Sequence, residues 1–170
     1  KMAGDPSAFV RREVAASLRD IRGSREIIQT LLRSYPAGDR WYLETLGAAM
    51  DNDAAAYYAY TKEVFAKDKT PLEWNREMTE LAWRLHPISA LKDLEARAGS
   101  LALDARAREQ AMNAIAFIND SAAANAMLNL SRSSLKDVAE QSIYWLSFRQ
   151  TNGWYSLLDW SKVDLNTAYQ

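Results

Sequence analysis

The chain has 170 residues, 48% hydrophobic and 25% charged, with 21 basic against 22 acidic side chains and a formal net charge of −1. That length fits one domain able to bury a core, while the near-neutral balance lacks the basic excess of a dedicated nucleic-acid binder. With no cysteine, the chain can hold no disulfide, thiolate metal site, cysteine nucleophile or covalently attached haem, and no apolar run reaches the roughly 18–20 residues of a membrane span.

Helix-start signals recur along the sequence at Asp5-Pro6, Asp39-Arg40, Thr70-Pro71, Asp104-Ala105 and Ser134-Leu135, spaced 34, 31, 34 and 30 residues apart. A short polar side chain at such a point accepts hydrogen bonds from the free N–H groups of a first helical turn. The first helix is predicted from Pro6 to about Ile21, with Phe9, Val10, Val14 and Leu18 as its apolar stripe. Gly23 breaks it, Ser24 restarts it, and Ile27, Ile28, Leu31 and Leu32 form the partner's face. After the turn Tyr35-Pro36-Ala37-Gly38, Asp39 opens a second pair carrying Trp41, Tyr42, Leu43, Leu46 and Met50. Its second helix follows the Asp51-Asn52-Asp53 break, from Ala54 to about Ala66.

Thr70-Pro71-Leu72-Glu73 matches a capping box and opens the third pair, with Trp74, Met78, Leu81 and Leu85 on one face. His86-Pro87 ends that helix, Ile88, Leu91 and Leu94 face the core in the next, and Gly99 closes the pair. Asp104 starts the fourth, lined by Ala107, Ala111, Ala114, Ile115 and Ile118, with its break at Asn119-Asp120-Ser121 and its partner from Ala122 to about Ser131. Ser134, with Asp137 three residues on, is a second capping-box candidate and begins the fifth. Leu135, Val138, Ser142, Ile143 and Leu146 form its inner stripe, with Tyr144 and Phe148 on the opposite side; a short segment with Trp154, Leu157, Leu158 and Trp160 follows Gly153.

A repeat period of 20–50 residues points to stacked helix pairs. The expected fold is all-α: a right-handed α-solenoid of about five antiparallel helix pairs, in one domain with repeats at about 5–35, 39–67, 70–99, 104–132 and 134–160 and a tail at 161–170. In such a stack no pair buries its apolar faces alone.

The segment from Asp5 to Leu18 resembles a HEAT repeat, with Asp5, Pro6, Val10, Arg11, Ala15 and Leu18 at the positions of the family pattern. The segment from Asp104 to Ala111 is a weaker copy without the Pro and the Val-Arg pair, and Asp39 to Gly47 is weaker still. A narrower resemblance rests on GDRWYLETLGAAMD (38–51), WRLHPISALKDLEARA (83–98) and AEQSIYWLSFRQTNGWYSLLDW (139–160). These stretches look like the helical-repeat region of large bacterial dehydrogenase-like proteins, in which a sorbosone-dehydrogenase-type propeller precedes the repeats and a haem-binding cytochrome c module often follows. The resemblance implies an extracytoplasmic, redox-associated context and a chain cut from a longer protein. The chain has neither a Cys-x-x-Cys-His motif nor a strand-rich region, so neither catalytic module's chemistry carries onto these residues.

Candidate chemistry is sparse. His86, the only histidine, sits before Pro87 between helices, a place for a cap or packing residue. A serine triad would need it, yet no Gly-x-Ser-x-Gly turn is present. Asp51-Asn52-Asp53 begins like a calcium loop, but Ala56 stands where a Gly is required and Lys62 where a bidentate Glu is, so helix capping by Asp53 is the better account. Trp41, Trp74 and Trp145 are expected in the core. Tyr57, Tyr58 and Tyr60 cannot share one helix face, so at least one is available to anchor a partner. Arg11, Arg12, Arg40, Arg76, Arg106 and Arg108 lie early in the leading helices, where stacking aligns them either as structural ion pairs or as a stripe for an acidic protein or phosphates. The expected function is a non-catalytic scaffold that binds protein, with no cofactor, metal, nucleic acid or membrane span, linking a dehydrogenase-like module to a cytochrome. The alternative is a helical-repeat enzyme or binder acting on DNA or another anionic ligand.

Overall fold

Four helices begin where a short polar side chain turns back onto the first turn. Asp39 accepts from the Tyr42 N–H at 2.9 Å, Asn75 from Met78 at 2.9 Å, Asp104 from Ala107 at 2.8 Å and Asp120 from Ala122 at 2.7 Å. The computed structural model of the chain describes residues 2–21 and 23–165. Its α-helices are α1 (Ala8–Ser17), α2 (Arg25–Arg33), α3 (Arg40–Met50), α4 (Ala54–Phe65), α5 (Arg76–Leu85), α6 (Leu91–Ala98), α7 (Ala105–Phe117), α8 (Ser121–Leu130) and α9 (Lys136–Thr151). No strand occurs among the described residues, so the all-α expectation holds.

Other starts differ from the sequence reading. The capping box at Thr70 forms, but it closes a single 3₁₀ turn, Pro71–Glu73. Trp74 then runs extended, and the helix begins at Arg76 under the Asn75 cap. At α9 the N-cap is Leu135 and no side chain caps it. Asp137, expected to complete a box with Ser134, is drawn instead to Arg108 at 2.7 Å. Asp53 does not cap α4 either, because Arg25 takes its carboxylate. The short segment after Gly153 forms turns and one 3₁₀ turn, Trp160–Lys162. Residues 166–170 of the expected tail lie outside the described residues.

Packing divides the chain into two compact units, Lys1–Pro87 and Ile88–Gln170, with the boundary inside the third expected pair. In the first unit α1 packs on α3, α3 on α5, α2 on α4, and α4 on α5. Its core holds Leu31, Leu32, Tyr42, Leu46, Met50, Met78 and Leu81, all fully buried. The Tyr42 hydroxyl donates to the Leu31 carbonyl at 3.1 Å, so the buried phenol is satisfied. In the second unit α6 packs on α7 and α8, α7 on α8 and α9, and α8 on α9. Met112, Ile115, Met127, Leu146 and Trp154 fill that interior, and the Trp154 Nε1–H donates to Ile118 O at 3.0 Å.

Two aromatic residues expected inside are outside. Trp41 is 74% exposed and Phe9 62%. On α3 the inward row is Tyr42, Leu43, Leu46 and Met50, while Trp41 shares the outward row with half-buried Thr45 and Ala48. On α1 the inward row runs through Ala15 and Leu18, which leaves Phe9 on the opposite side beneath the Arg12 guanidinium, 4.9 Å away.

Candidate functional site

The arginines expected to form a stripe are occupied in different ways. The Arg11 Nη1 donates to Asp5 O at 2.6 Å and Pro6 O at 3.0 Å, and its Nη2 reaches Ser34 O at 3.2 Å. Arg11 thereby staples the chain entering α1 to the end of α2. Arg108 repeats the device in the second unit, donating to the carbonyls of Ser100 and Leu103 and pairing with Asp137. Arg12 lies 3.6 Å from Glu13. Arg40 pairs with Glu44 at 2.7 Å and lies 4.5 Å over the Trp83 ring. Arg76 pairs with Glu80 at 2.7 Å. Arg106 is exposed and makes no ion pair among the described residues. Arg11, Arg12, Arg40, Arg76 and Arg108 thus serve carbonyl ends, carboxylates or rings of their own unit.

Arg76 belongs to a larger network. Glu80 accepts from the Tyr35 hydroxyl, from the Gly38 N–H at 2.9 Å and from Arg76 Nε. Partial burial pushes the Glu80 carboxyl up, but these hydrogen bonds outweigh it and hold the group below the usual carboxylate range. Burial, followed by the neighbouring carboxylate, drives the Tyr35 phenol far above its ordinary value. The cluster fastens the Tyr35–Gly38 turn onto α5.

The tyrosines on α4 separate as their spacing requires. Tyr57 and Tyr58 are buried, while Tyr60 is half-buried and its hydroxyl accepts from Arg33. The Arg25 guanidinium sits 5.9 Å over the Tyr57 ring. Burial raises the Tyr57 phenol above its ordinary value, with Arg25 opposing. His86 caps the end of α5 at φ +28°, with its Nδ1 2.8 Å from Trp83 O. Burial lowers its pKa, which favours the neutral ring. No cluster of three or more His, Cys, Asp or Glu suited to a metal occurs among the described residues, and no described helix is long and apolar enough to cross a membrane.

The most distinctive surface lies on α7 and α9. Phe117 is 49% exposed, Tyr144 57% and Phe148 45%, and all three rings pack around half-buried Trp145. Trp145 meets Phe117, Tyr144 and Phe148 edge-on, with ring centres 5.6, 5.3 and 5.9 Å away. Tyr144 and Phe148, one turn apart, stack with 12° between their planes. The Trp145 Nε1–H donates to Asn113 Oδ1 at 2.9 Å, which satisfies its polar edge and fixes the indole. Trp145, expected in the core, therefore organises a surface cluster. Its signal in the sequence is the placement of Tyr144 and Phe148 opposite the inner stripe of α9; the contribution of Phe117 depends on how α7 packs. Compared with protein families, curated proteins and solved structures, the chain matches none.

Proposed function

We propose that the chain is a non-catalytic interaction module that presents the aromatic face of α7 and α9 to an apolar surface of another protein module. The observation that carries this reading is the half-exposed ring cluster Phe117, Tyr144 and Phe148 around Trp145. Grouped, half-exposed aromatic rings are costly to leave in water, and such rings are the side chains that dominate binding energy at protein interfaces. Trp145 is already held by Asn113, so the rings lose little freedom on docking.

The finer architecture in this proposal is a HEAT-like solenoid. Successive packing of α1, α3 and α5, with α2 on α4, supports it in the first unit, as does α7 on α9 with α6 on α8 in the second. The context is a bacterial extracytoplasmic redox protein in which such repeats join a dehydrogenase-like module to a cytochrome. The alternative, a binder of DNA or another anion along the arginines, has less support. Arg11, Arg40, Arg76 and Arg108 are engaged by carbonyls and carboxylates of the chain.

The test is calorimetric titration of the chain with a purified sorbosone-dehydrogenase-type propeller and, separately, a cytochrome c module. Binding to either, weakened at least about tenfold by Tyr144→Glu with Phe148→Glu, is the expected result. Absence of binding to both, or binding indifferent to the two substitutions, overturns the reading.

A further inference from the structure

The half-buried guanidiniums of Arg11, Arg84 and Arg108 are each met by carbonyl or carboxylate oxygens of the chain. Arg149, half-buried on α9, is not. Its Nε is covered and donates to no acceptor, and no described residue gives it a carboxylate or a hydrogen bond. Burial lowers its pKa from the ordinary arginine value, and no neighbouring charge opposes that shift. The acidic side chains of α9 and the segment after it are engaged elsewhere: Asp137 by Arg108, Glu140 by Lys136 and Asp159 by Lys162.

The side chain is nevertheless held in place. Its guanidinium lies 5.4 Å over the Trp154 ring. Trp154 is fully buried and fixed by its bond to Ile118 O, so this plate is rigid. Gly153, at φ +103°, passes alongside, where a Cβ would stand 2.9 Å from Arg149 Nη2. Arg149 also borders the aromatic face. It follows Phe148 directly and lies one turn beyond Trp145 on α9, while Ile118, which anchors Trp154, follows Phe117. A cation withdrawn from water without a counter-charge is destabilising, and a carboxylate brought to it offsets that cost. Arginine beside aromatic rings is the usual make-up of an interface hot spot.

Building on the aromatic-face reading above, we propose that the partner segment seated on α7 and α9 carries a carboxylate side chain among its apolar residues, and that this carboxylate pairs with Arg149. The apolar residues cover Phe117, Tyr144 and Phe148. The carboxylate supplies the charge that the chain withholds from Arg149, which fixes the direction in which the segment lies and rejects a basic one.

The probes are the capped peptide acetyl-Leu-Leu-Glu-Phe-Leu-amide and its two variants with glutamine or lysine in place of glutamate. Amide NMR of the full chain follows each titration. The glutamate peptide is expected to bind about tenfold more tightly than the glutamine peptide, and the lysine peptide more weakly than either. Arg149→Gln should erase the difference between glutamate and glutamine, and Arg149→Lys, which keeps the charge, should retain most of it. Tyr144→Ala with Phe148→Ala should weaken both of those peptides alike, because it removes the apolar contact they share. Equal binding of the glutamate and glutamine peptides, with both weakened by the ring substitutions, overturns the carboxylate inference and leaves the aromatic reading standing. No binding of the glutamate peptide, or a glutamate preference that survives Arg149→Gln, also overturns the inference. Binding indifferent to the ring substitutions overturns the aromatic reading and this inference with it.

Discussion

Gly47 should reverse the usual consequence of a helical Gly→Ala substitution. It lies inside α3, where alanine normally stabilises by about 1 kcal/mol. A Cβ at this position would stand 2.5 Å from Arg84 Cζ and 2.6 Å from Arg84 Cγ. The Arg84 guanidinium crosses the helix there to reach Glu44 at 3.0 Å and both oxygens of Asp51 at 2.9 and 3.1 Å. Because the clash reaches Cγ, rotating the tip does not relieve it. The whole side chain must leave.

Glu44 and Asp51 are 40% and 55% exposed, so each pair contributes only about 0.5–1 kcal/mol. Lost packing of the largely covered Arg84 stem adds about 1 kcal/mol. Set against the helical gain of about 1 kcal/mol, Gly47→Ala should destabilise by about 1–2 kcal/mol. In an Arg84→Ala background nothing obstructs the methyl group, and the same substitution should stabilise by about 1 kcal/mol. Urea denaturation of the four proteins in this cycle, followed by far-UV circular dichroism, measures the coupling directly. A rise in midpoint for Gly47→Ala alone, or no change of sign between backgrounds, would refute the reasoning.

Three further outcomes follow from the same geometry. Glu80 has a lowered pKa when folded, so the stability it contributes is present above its unfolded value of about 4.3 and is lost as pH falls through the folded one. Glu80→Gln should lower the melting temperature at neutral pH and flatten the acid limb of the stability profile; an unchanged limb would remove Glu80 from the explanation. Arg108→Ala strips two carbonyls and Asp137 of a mostly covered guanidinium and should cost about 2–3 kcal/mol, whereas exposed Arg106→Ala should stay within about 0.5 kcal/mol by denaturant midpoint. Trp74→Ala should cost about 3–5 kcal/mol and Trp41→Gln little, since only the first ring is buried; comparable losses would contradict the outward placement of Trp41.

Features of the fold set by one side chain acting on its own helix were legible in the sequence. Asp39, Asp104 and Asp120 cap as their positions suggest, because a cap needs only a short acceptor and the next turn's N–H groups. The inner stripes of α5 and α7 were legible for a similar reason, since period alone places Met78, Leu81 and Leu85, or Ala111, Ala114 and Ile115, on one side. Misreadings arose where a distant residue competes. Asp137 and Asp53 have the sequence form of local caps, but a guanidinium from another helix offers each carboxylate a stronger, charge-assisted partner. Nothing within four residues of either aspartate signals that rival.

The candidate site was hidden for a different reason. Periodicity identifies the face of a helix that must be covered; it does not say whether a second face is left bare. Tyr144 and Phe148 off the inner stripe of α9 fit equally well with burial by a neighbouring helix and with exposure, and only the packed unit separates the two.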